Sequence, residues 1–249
     1  MEAARVAAER GHQVVLFEKN GHLGGHLREA SVPEFKKDLR RLLTWYERQM
    51  GRLKIEVTMN REVTPAAVKG LDYDVAILAT GSMPYFPDIP GIEKPSVTTC
   101  CEVLSGEKEV GKNVVILGGG REGCETAVWL AQKGKTIRVI ETLEDVATEL
   151  HLPNRQMLLD MMEDGGIEIL TESTVAEVLD DGIVLSEKTS EGKFVACEHV
   201  IVAVGLKPAR DLYDTLNREG RAFYAVGDCK EARNLHYAIL EGFTVGHYV

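Results

Sequence analysis

The chain has 249 residues, of which 44% are hydrophobic and 27% charged, and its formal net charge is -10. This is the composition of an ordinary globular protein with room for one or two domains. Nucleic acids and anionic membrane surfaces bind clustered Lys and Arg, so the acidic balance excludes both as expected partners. No apolar run approaches the roughly 18 residues of a membrane span, and the first residues lack the apolar segment of a signal peptide. We therefore predict a cytoplasmic protein.

The five cysteines predict neither a disulfide framework nor a metal centre. Cys100 and Cys101 are adjacent, and no pair has C-x-x-C spacing. An odd count fits a reducing compartment, and the adjacent Cys100 and Cys101 are predicted to be inert thiols. His22 and His26 are four residues apart in a glycine-rich stretch, not in a helix, and do not predict a metal site.

The chain opens on a segment that is repeated later. Residues 1–18 align without a gap with residues 124–141, an offset of 123, so that Glu18 corresponds to Glu141. Each copy reads as a helix, a turn and an apolar strand that ends in the glutamate. In this register, residue 1 falls just after the third glycine of the second copy. We therefore expect the first strand and glycine loop of the first copy to be missing. The alternative is a simple N-terminal helix with a surface glutamate.

Several further elements follow this first copy. Residues 20–27 form a glycine-rich loop that either approaches a ligand or is an ordinary turn. Residues 31–34 read as a capping box that opens a helix with Phe35 and Tyr46 on its apolar face. Residues 74–81 are a buried parallel-type strand ending in Ala-Thr-Gly, and the proline-rich crossover behind it is the candidate domain boundary.

The strongest motif begins at the apolar run of residues 114–117. Gly118, Gly120 and Gly123 have G-x-G-x-x-G spacing, and a helical pattern and a second apolar run ending in Glu141 follow. This order matches the dinucleotide-binding fingerprint. The glycines permit the tight turn, the approach of the backbone to a pyrophosphate and the packing of the helix, and the acid accepts a ribose 2′-hydroxyl. A plain strand-to-helix turn is the alternative.

The second copy continues to a landmark shared with the first. Residues 203–208 match residues 79–84 at an offset of 124. Between them, residues 153–164 read as a helix and the following short strands as a meander. A strand over residues 222–226 ends in Gly227 and Asp228, and residues 234–248 read as a helix. The repeats predict an α/β fold of two nucleotide-binding halves, with the second inserted into the first.

Together these features resemble the two-dinucleotide-binding-domain flavoproteins, related to the glutathione reductase class, over the whole chain. More narrowly, residues 24–27, 89–91 and 225–229 are similar to NADH:flavin oxidoreductases of the 2,4-dienoyl-CoA reductase and 2-enoate reductase type. In those enzymes a barrel domain carries FMN and an iron–sulfur cluster. The part that this chain resembles passes electrons from NAD(P)H through FAD towards them.

The resemblance implies two Rossmann-like three-layer domains. An NAD(H)-binding domain at residues 109–205 would be inserted into an incomplete FAD-binding-like domain at residues 1–108 and 206–249. A 2′-phosphate would face Glu141 with no Arg in residues 142–145, which favours NADH over NADPH. The implied FAD contacts are Glu18, Gly25, Thr80, Gly81, Gly227 and Asp228. The implied NAD(H) contacts are Gly118, Gly120, Arg121, Gly123, Glu141 and Gly205.

The implied function is an electron-entry module, in which hydride passes from NADH to FAD for reduction of an enoate or dienoyl-CoA-like substrate. The substrate would bind in an absent barrel domain of the same polypeptide. No catalytic residue is nominated, because the cofactors carry this chemistry. The sequence has no FAD phosphate loop, no cluster cysteines and no paired active-site cysteines. The alternatives are a non-catalytic NAD(H)-binding fragment and a free-standing NADH oxidase or ferredoxin-reductase-like flavoprotein. A homo-oligomer is left open.

Overall fold

The computed structural model describes residues 1–186, 192–217 and 223–249, so residue 222 of the predicted Gly-Asp strand lies outside the described residues. The helices are α1 (Glu2–Glu9), α2 (Leu27–Ala30), α3 (Lys37–Arg52), α4 (Pro65–Lys69), α5 (Cys100–Ser105), α6 (Arg121–Ala131), α7 (Leu152–Asp164), α8 (Asp211–Asn217) and α9 (Leu235–Tyr248). The strands are β1 (Val15–Phe17), β2 (Glu56–Thr58), β3 (Ala76–Leu78), β4 (Ser82–Pro84), β5 (Val97–Thr99), β6 (Asn113–Leu117), β7 (Thr136–Ile140), β8 (Glu168–Leu170), β9 (Thr174–Val178), β10 (Gly182–Ser186), β11 (Lys193–Ala196), β12 (His199–Val202), β13 (Leu206–Pro208) and β14 (Phe223–Ala225).

The chain forms two compact units. The first unit comprises Met1–Ser31, Lys37–Met83 and Leu206–Val249, and the second comprises Val32–Lys36 and Pro84–Gly205. Apart from its short first segment, the second unit is thus one insertion between segments of the first. The second unit begins before residue 109, the predicted start of the NAD(H) domain. The reason is that β5, at residues 97–99, pairs with β12 in the sheet of the second unit. The domain limits inferred from the sequence remain a prediction.

A parallel sheet organises the second unit, with the strand order β5-β12-β6-β7-β8. Side chains of β6 alternate between two apolar clusters, with Val114 and Ile116 in one cluster and Val115 and Leu117 in the other. All four are at most 3% exposed, as expected for a parallel strand covered on both faces. The fold class predicted from the apolar runs, α/β with a parallel sheet, is confirmed.

The two clusters define the layers of the second unit. Helices α6 and α7 contribute Leu130 and Met162 to the first cluster. The antiparallel strands β9, β10 and β11 contribute Val178, Ile183 and Val195, respectively, to the second. The predicted meander is present in β9, β10 and β11, and it covers the sheet face opposite to the helices. The strand predicted at residues 167–170 is not part of it, because β8 pairs in parallel with β7 at the edge of the main sheet.

Parallel strand pairs and a helix pair build the first unit. β1 pairs with β2, and β3 pairs with β14, both in parallel. Helix α9 packs against α1, where Gly246 lies beside Ala3 and Val6. None of the helices in the described ranges is long and apolar enough to cross a membrane.

The capping box predicted at residues 31–34 is wrong. The Ser31 hydroxyl donates to the carbonyl oxygen of Arg28 at 2.7 Å and so closes α2. Residues Glu34–Lys36 form a 3-10 turn before α3 begins. Phe35 packs on the core of the second unit and is not part of the buried face of α3. A serine hydroxyl can bond to the backbone that precedes it as well as to the helix that follows it, and Ser31 bonds to the preceding one.

A capping box forms instead at the start of α5. The Thr99 hydroxyl accepts the backbone N–H of Glu102 at 3.2 Å, and the Glu102 carboxylate accepts the N–H of Thr99 at 2.9 Å. The same carboxylate oxygen accepts the hydroxyls of Thr98 and Thr99. Burial raises the pKa of Glu102, but these hydrogen bonds outweigh burial and hold the pKa below its ordinary value.

We expect Glu102→Gln to lower the free energy of unfolding at pH 7 by about 1 kcal/mol, the usual effect of a weakened helix cap. Because the folded pKa of Glu102 is lowered, its contribution is present above roughly pH 4.3, the unfolded value, and is lost as pH falls through the folded pKa. Urea unfolding at pH 7 and in acid measures both effects. Glu107→Gln changes an exposed acid nearby and serves as the control. Equal losses in the two variants would contradict the assignment.

Candidate functional site

The glycine loop of the second unit joins β6 to α6. Gly118 has a φ of +105°, and a Cβ at this position would lie 2.4 Å from the carbonyl oxygen of Ala203. A Cβ on Gly123 would lie 2.1 Å from the carbonyl oxygen of Gly118. Both positions require glycine, because backbone cannot yield to such an approach. Gly120 is the N-cap of α6 and supplies no capping side chain.

Two carboxylates of the same unit accept hydrogen bonds from this loop. Glu141, directly after β7, accepts the N–H of Gly119 at 2.7 Å with one oxygen and the N–H of Leu143 at 2.8 Å with the other. Glu149 accepts the N–H of Arg121 at 2.5 Å. N–H groups at the start of a helix carry partial positive charge. The loop therefore presents an anion-binding surface.

The predicted NAD(H) contacts of the second unit lie at one edge of its sheet. β12, β6 and β7 are parallel neighbours, so the residues that follow them meet at the same edge. Gly118 follows β6, Glu141 follows β7, and Gly205 lies shortly after β12. A Cβ on Gly205 would meet nothing within 4 Å. Such an edge of carboxyl ends is where open α/β sheets bind ligands.

A second group of predicted residues lies after β3 and β14 in the first unit. The Thr80 hydroxyl donates to the carbonyl oxygen of Ala209 at 2.6 Å, and Gly81 has a φ of +73° with open space at its Cβ position. The Ser82 hydroxyl donates to the Asp228 carboxylate at 2.9 Å. Because β3 and β14 are parallel, Thr80 and Asp228 share one sheet edge.

A half-buried glutamate fixes the turn that carries Asp228. Glu241 of α9 accepts the N–H of Gly227 at 2.8 Å and the ammonium of Lys230 at 3.0 Å, and it also accepts a guanidinium N–H of Arg233. Burial alone would raise the pKa of Glu241. The hydrogen bonds from Lys230, Gly227 and Arg233 together outweigh burial and hold the pKa below its ordinary value. Glu241 therefore remains an anion that holds Gly227 in place.

The two remaining predicted FAD contacts differ in their surroundings. Gly25, with a φ of +49°, adjoins His26, whose Nε2 lies 3.1 Å from the carbonyl oxygen of Ser82. This contact connects the glycine turn to the residue that holds Asp228. Glu18 ends β1 and accepts the N–H of Asn20 at 2.8 Å. In the part of the chain that the structure describes, no hydrogen bond joins Glu18 to Asp228 or to Ser82, which holds Asp228.

Sequence reasoning missed three residues of these sites. Glu149 lies in a loop without periodic pattern, and Ser82 and His26 act through contacts between segments far apart in the chain. The Ala-Thr-Gly-Ser run and the Gly-Gly-His run already contained the last two, because both directly follow predicted glycines. No signal in the sequence indicates Glu149.

All five cysteines are free. Burial raises the pKa of Cys100 and of Cys124 to about 12, and that of Cys197 to about 11. These three thiols are neutral at pH 7, which for Cys100 agrees with the prediction of an inert thiol. Among the described residues, no group of three His, Cys, Asp or Glu side chains could hold a metal ion.

The strand, glycine loop, helix and acid-terminated strand of the second unit define a dinucleotide-binding oxidoreductase fold. Residues 1–242 match the family model described as pyridine nucleotide-disulphide oxidoreductase. The chain belongs to this family, and the resemblance predicted from its motifs is confirmed.

Within this family, the chain is similar to several individual proteins. The chain is 38% identical over 248 residues to cinnamate reductase of Clostridium sporogenes, covering 98% of this chain and 37% of that protein. It is 35% identical over 250 residues to NADH oxidase of Thermoanaerobacter brockii, covering 98% of this chain and 38% of that protein. The structure of 2-naphthoyl-CoA reductase with 2-naphthoyl-CoA superposes with a TM-score of 0.95 at 29% identity, covering 100% of this chain and 38% of that one. The chain thus spans less than half of these relatives.

Proposed function

We propose that the chain is the electron-entry module of a flavin-dependent oxidoreductase. NADH would bind the second unit and pass hydride to FAD, for reduction of an enoate or dienoyl-CoA-like substrate elsewhere in the same polypeptide. The observation that carries the proposal is the glycine loop, whose backbone N–H groups of Gly119 and Arg121 already donate hydrogen bonds to carboxylates. Relatives that are reductases and an NADH oxidase support it.

The second unit has the groups that NADH needs. The loop that contains Gly118, Gly120, Arg121 and Gly123 would hold the pyrophosphate at the start of α6, which helix N-termini favour. Glu141 would accept the adenosine ribose hydroxyls, and the open space at Gly205 would admit the nicotinamide side. The carboxylate would repel a 2′-phosphate, so NADH is favoured over NADPH.

The first unit has groups that fit FAD. A Cβ on Gly25 or Gly81 would meet nothing within 4 Å, which leaves room for a flat ligand against the backbone. Asp228, oriented by Ser82 and placed beside Gly227, would accept hydroxyls of the ribityl chain, and Glu18 would hold the adenosine ribose. FAD supplies the hydride acceptor when bound, and the residues of the chain only bind and orient it.

The larger assembly is also proposed. The relatives are more than twice as long as the matched part. We infer that the electron acceptor is the barrel domain with FMN and an iron–sulfur cluster that the resemblance implies. The FAD-binding and NAD(H)-binding domains would have the limits predicted from the sequence. Free cysteines in odd number favour a cytoplasmic location. A homo-oligomer is compatible with this arrangement.

A visible absorption spectrum of the protein mixed with FAD and freed of excess flavin tests the function. We expect flavin bands that bleach when NADH is added without oxygen. Asp228→Ala should lower the bound flavin strongly, because it removes the acceptor at the sheet edge, whereas Asp211→Ala on exposed α8 should leave flavin binding unchanged. Flavin bands that NADH leaves unbleached would contradict the proposal.

A non-catalytic NAD(H)-binding module is the second candidate. The observation in its favour is that the G-x-G-x-x-G spacing occurs once in this sequence, at Gly118 in the second unit. A colourless protein that binds NADH would support this candidate over electron transfer. Continuous consumption of NADH and oxygen by the flavin-loaded protein would instead indicate an NADH oxidase.

A further inference from the structure

We propose that the Glu149 carboxylate occupies the place of the nucleotide pyrophosphate in the free protein, so that NADH binds by displacing it. This inference rests on the proposed function of the second unit. It identifies a built-in competitor that sets the nucleotide affinity of the glycine loop.

The contact is made to the group that a pyrophosphate would use. Glu149 Oε1 accepts the N–H of Arg121, the first residue of the 11-residue helix α6, at 2.5 Å. The same oxygen would lie 3.3 Å from a Cβ on Gly120. Because the N-cap glycine has no capping side chain, a residue 28 positions along the chain takes that role. An anion at a helix N-terminus lowers the energy of the unpaired N–H groups.

The loop that carries Glu149 is anchored to the glycine loop by its backbone. The N–H of Ala147 donates to the carbonyl oxygen of Gly119 at 2.7 Å, and Val146 is 2% exposed. Arg155 donates to the carbonyl oxygen of Val146 at 2.9 Å. Glu149 itself is exposed. Its side chain can therefore turn into solvent while the loop keeps its backbone contacts.

Binding of a dinucleotide would displace the side chain of Glu149 but not that of Glu141. A pyrophosphate and the Glu149 carboxylate are both acceptors for the N–H of Arg121, and their like charges repel at this distance. Glu141 would instead receive hydrogen bonds from ribose hydroxyls and can remain in place. Removal of the charge at Glu149 should therefore strengthen NADH binding, and removal at Glu141 should weaken it.

Titration of the protein with NADH tests the inference through Glu149→Gln, which keeps the size of the side chain. We expect the Kd for NADH to fall by roughly tenfold, since a charge-assisted hydrogen bond no longer competes, and inorganic pyrophosphate should follow the same trend. Glu144→Gln removes the same charge from the same loop without touching the contact with Arg121, and its Kd should stay within about twofold.

The outcomes separate this inference from the proposed function. Unchanged or weaker NADH binding in Glu149→Gln, with binding retained, overturns the role of Glu149 and leaves the function standing. If neither wild type nor variant binds NADH, both fail. If Glu149→Gln binds NADH and wild type does not, the result supports the inference, because the Glu149 carboxylate then blocks the site completely.

A readout without nucleotide provides a second test. The amide proton of Arg121 should exchange with solvent several-fold faster in Glu149→Ala than in wild type, because its acceptor is gone. Addition of NADH to the variant should restore the protection. Equal exchange in the two proteins would overturn the inference even if their NADH affinities differ.

Discussion

Replacement of Gly123 by alanine should reduce NADH binding below detection and lower the free energy of unfolding by roughly 3 kcal/mol or more. The added Cβ would lie 2.1 Å from the carbonyl oxygen of Gly118 and 3.2 Å from Cβ of Ala203. Both neighbours belong to the packed sheet edge, so α6 itself must move. A shift of the helix displaces the N–H of Arg121 from the position that an anion requires.

Chemical unfolding and NADH titration of Gly123→Ala measure the two effects. Gly51→Ala is the matched control, because Gly51 lies in helix α3 and an added Cβ would meet nothing within 4 Å. Alanine in a helix is favoured over glycine by about 0.5–1 kcal/mol, so this variant should be slightly more stable than wild type. Wild-type stability and NADH affinity in Gly123→Ala would show that α6 does not pack as described.

Replacement of Glu141 by alanine should reduce the preference for NADH over NADPH by about tenfold or more. Loss of a hydrogen bond to a charged group costs roughly 1.5–3 kcal/mol, and this loss falls on the ribose of NADH. NADPH loses nothing comparable, because the removed carboxylate had repelled its 2′-phosphate. The ratio of the two Kd values, measured by titration, is the relevant quantity.

Glu141 also holds the N–H groups of Gly119 and Leu143, so a damaged loop must be distinguished from a lost ribose contact. Damage to the loop weakens both nucleotides and leaves their ratio unchanged. Glu141→Gln keeps an acceptor oxygen without the charge, and its ratio should lie between those of wild type and Glu141→Ala. Glu144→Ala on the neighbouring loop should leave the ratio unaltered. An unchanged ratio in Glu141→Ala would contradict the ribose assignment.

The sequence was informative where structure depends on local pattern. The β6–α6–β7 unit could be predicted because an apolar run, glycines at fixed spacing and a terminal acid each have a single steric or electrostatic reason. The common edge of Gly118, Glu141 and Gly205 follows from the parallel order of their strands. In the same way, adjacent parallel strands place Thr80 beside Asp228.

Two kinds of contact could not be predicted: those for which one short side chain has two local partners, and those between segments far apart in the chain. Ser31 matches a helix-capping pattern, but its hydroxyl binds the preceding helix, since both partners are available to a short polar side chain. Glu149 reaches the glycine loop only because Ala147 anchors its loop there. The extent of the second unit depends on β5, a three-residue strand whose partner β12 lies about 100 residues further along the chain.

The thiol beside the glycine loop has a consequence for oxidative damage. Cys124 Sγ donates to the carbonyl oxygen of Gly119 at 3.2 Å and is fully buried, and its pKa is raised to about 12. Peroxide attacks the thiolate, not the protonated thiol. Peroxide that reaches this loop would therefore leave the protonated Cys124, and the nucleotide-binding backbone beside it, unmodified.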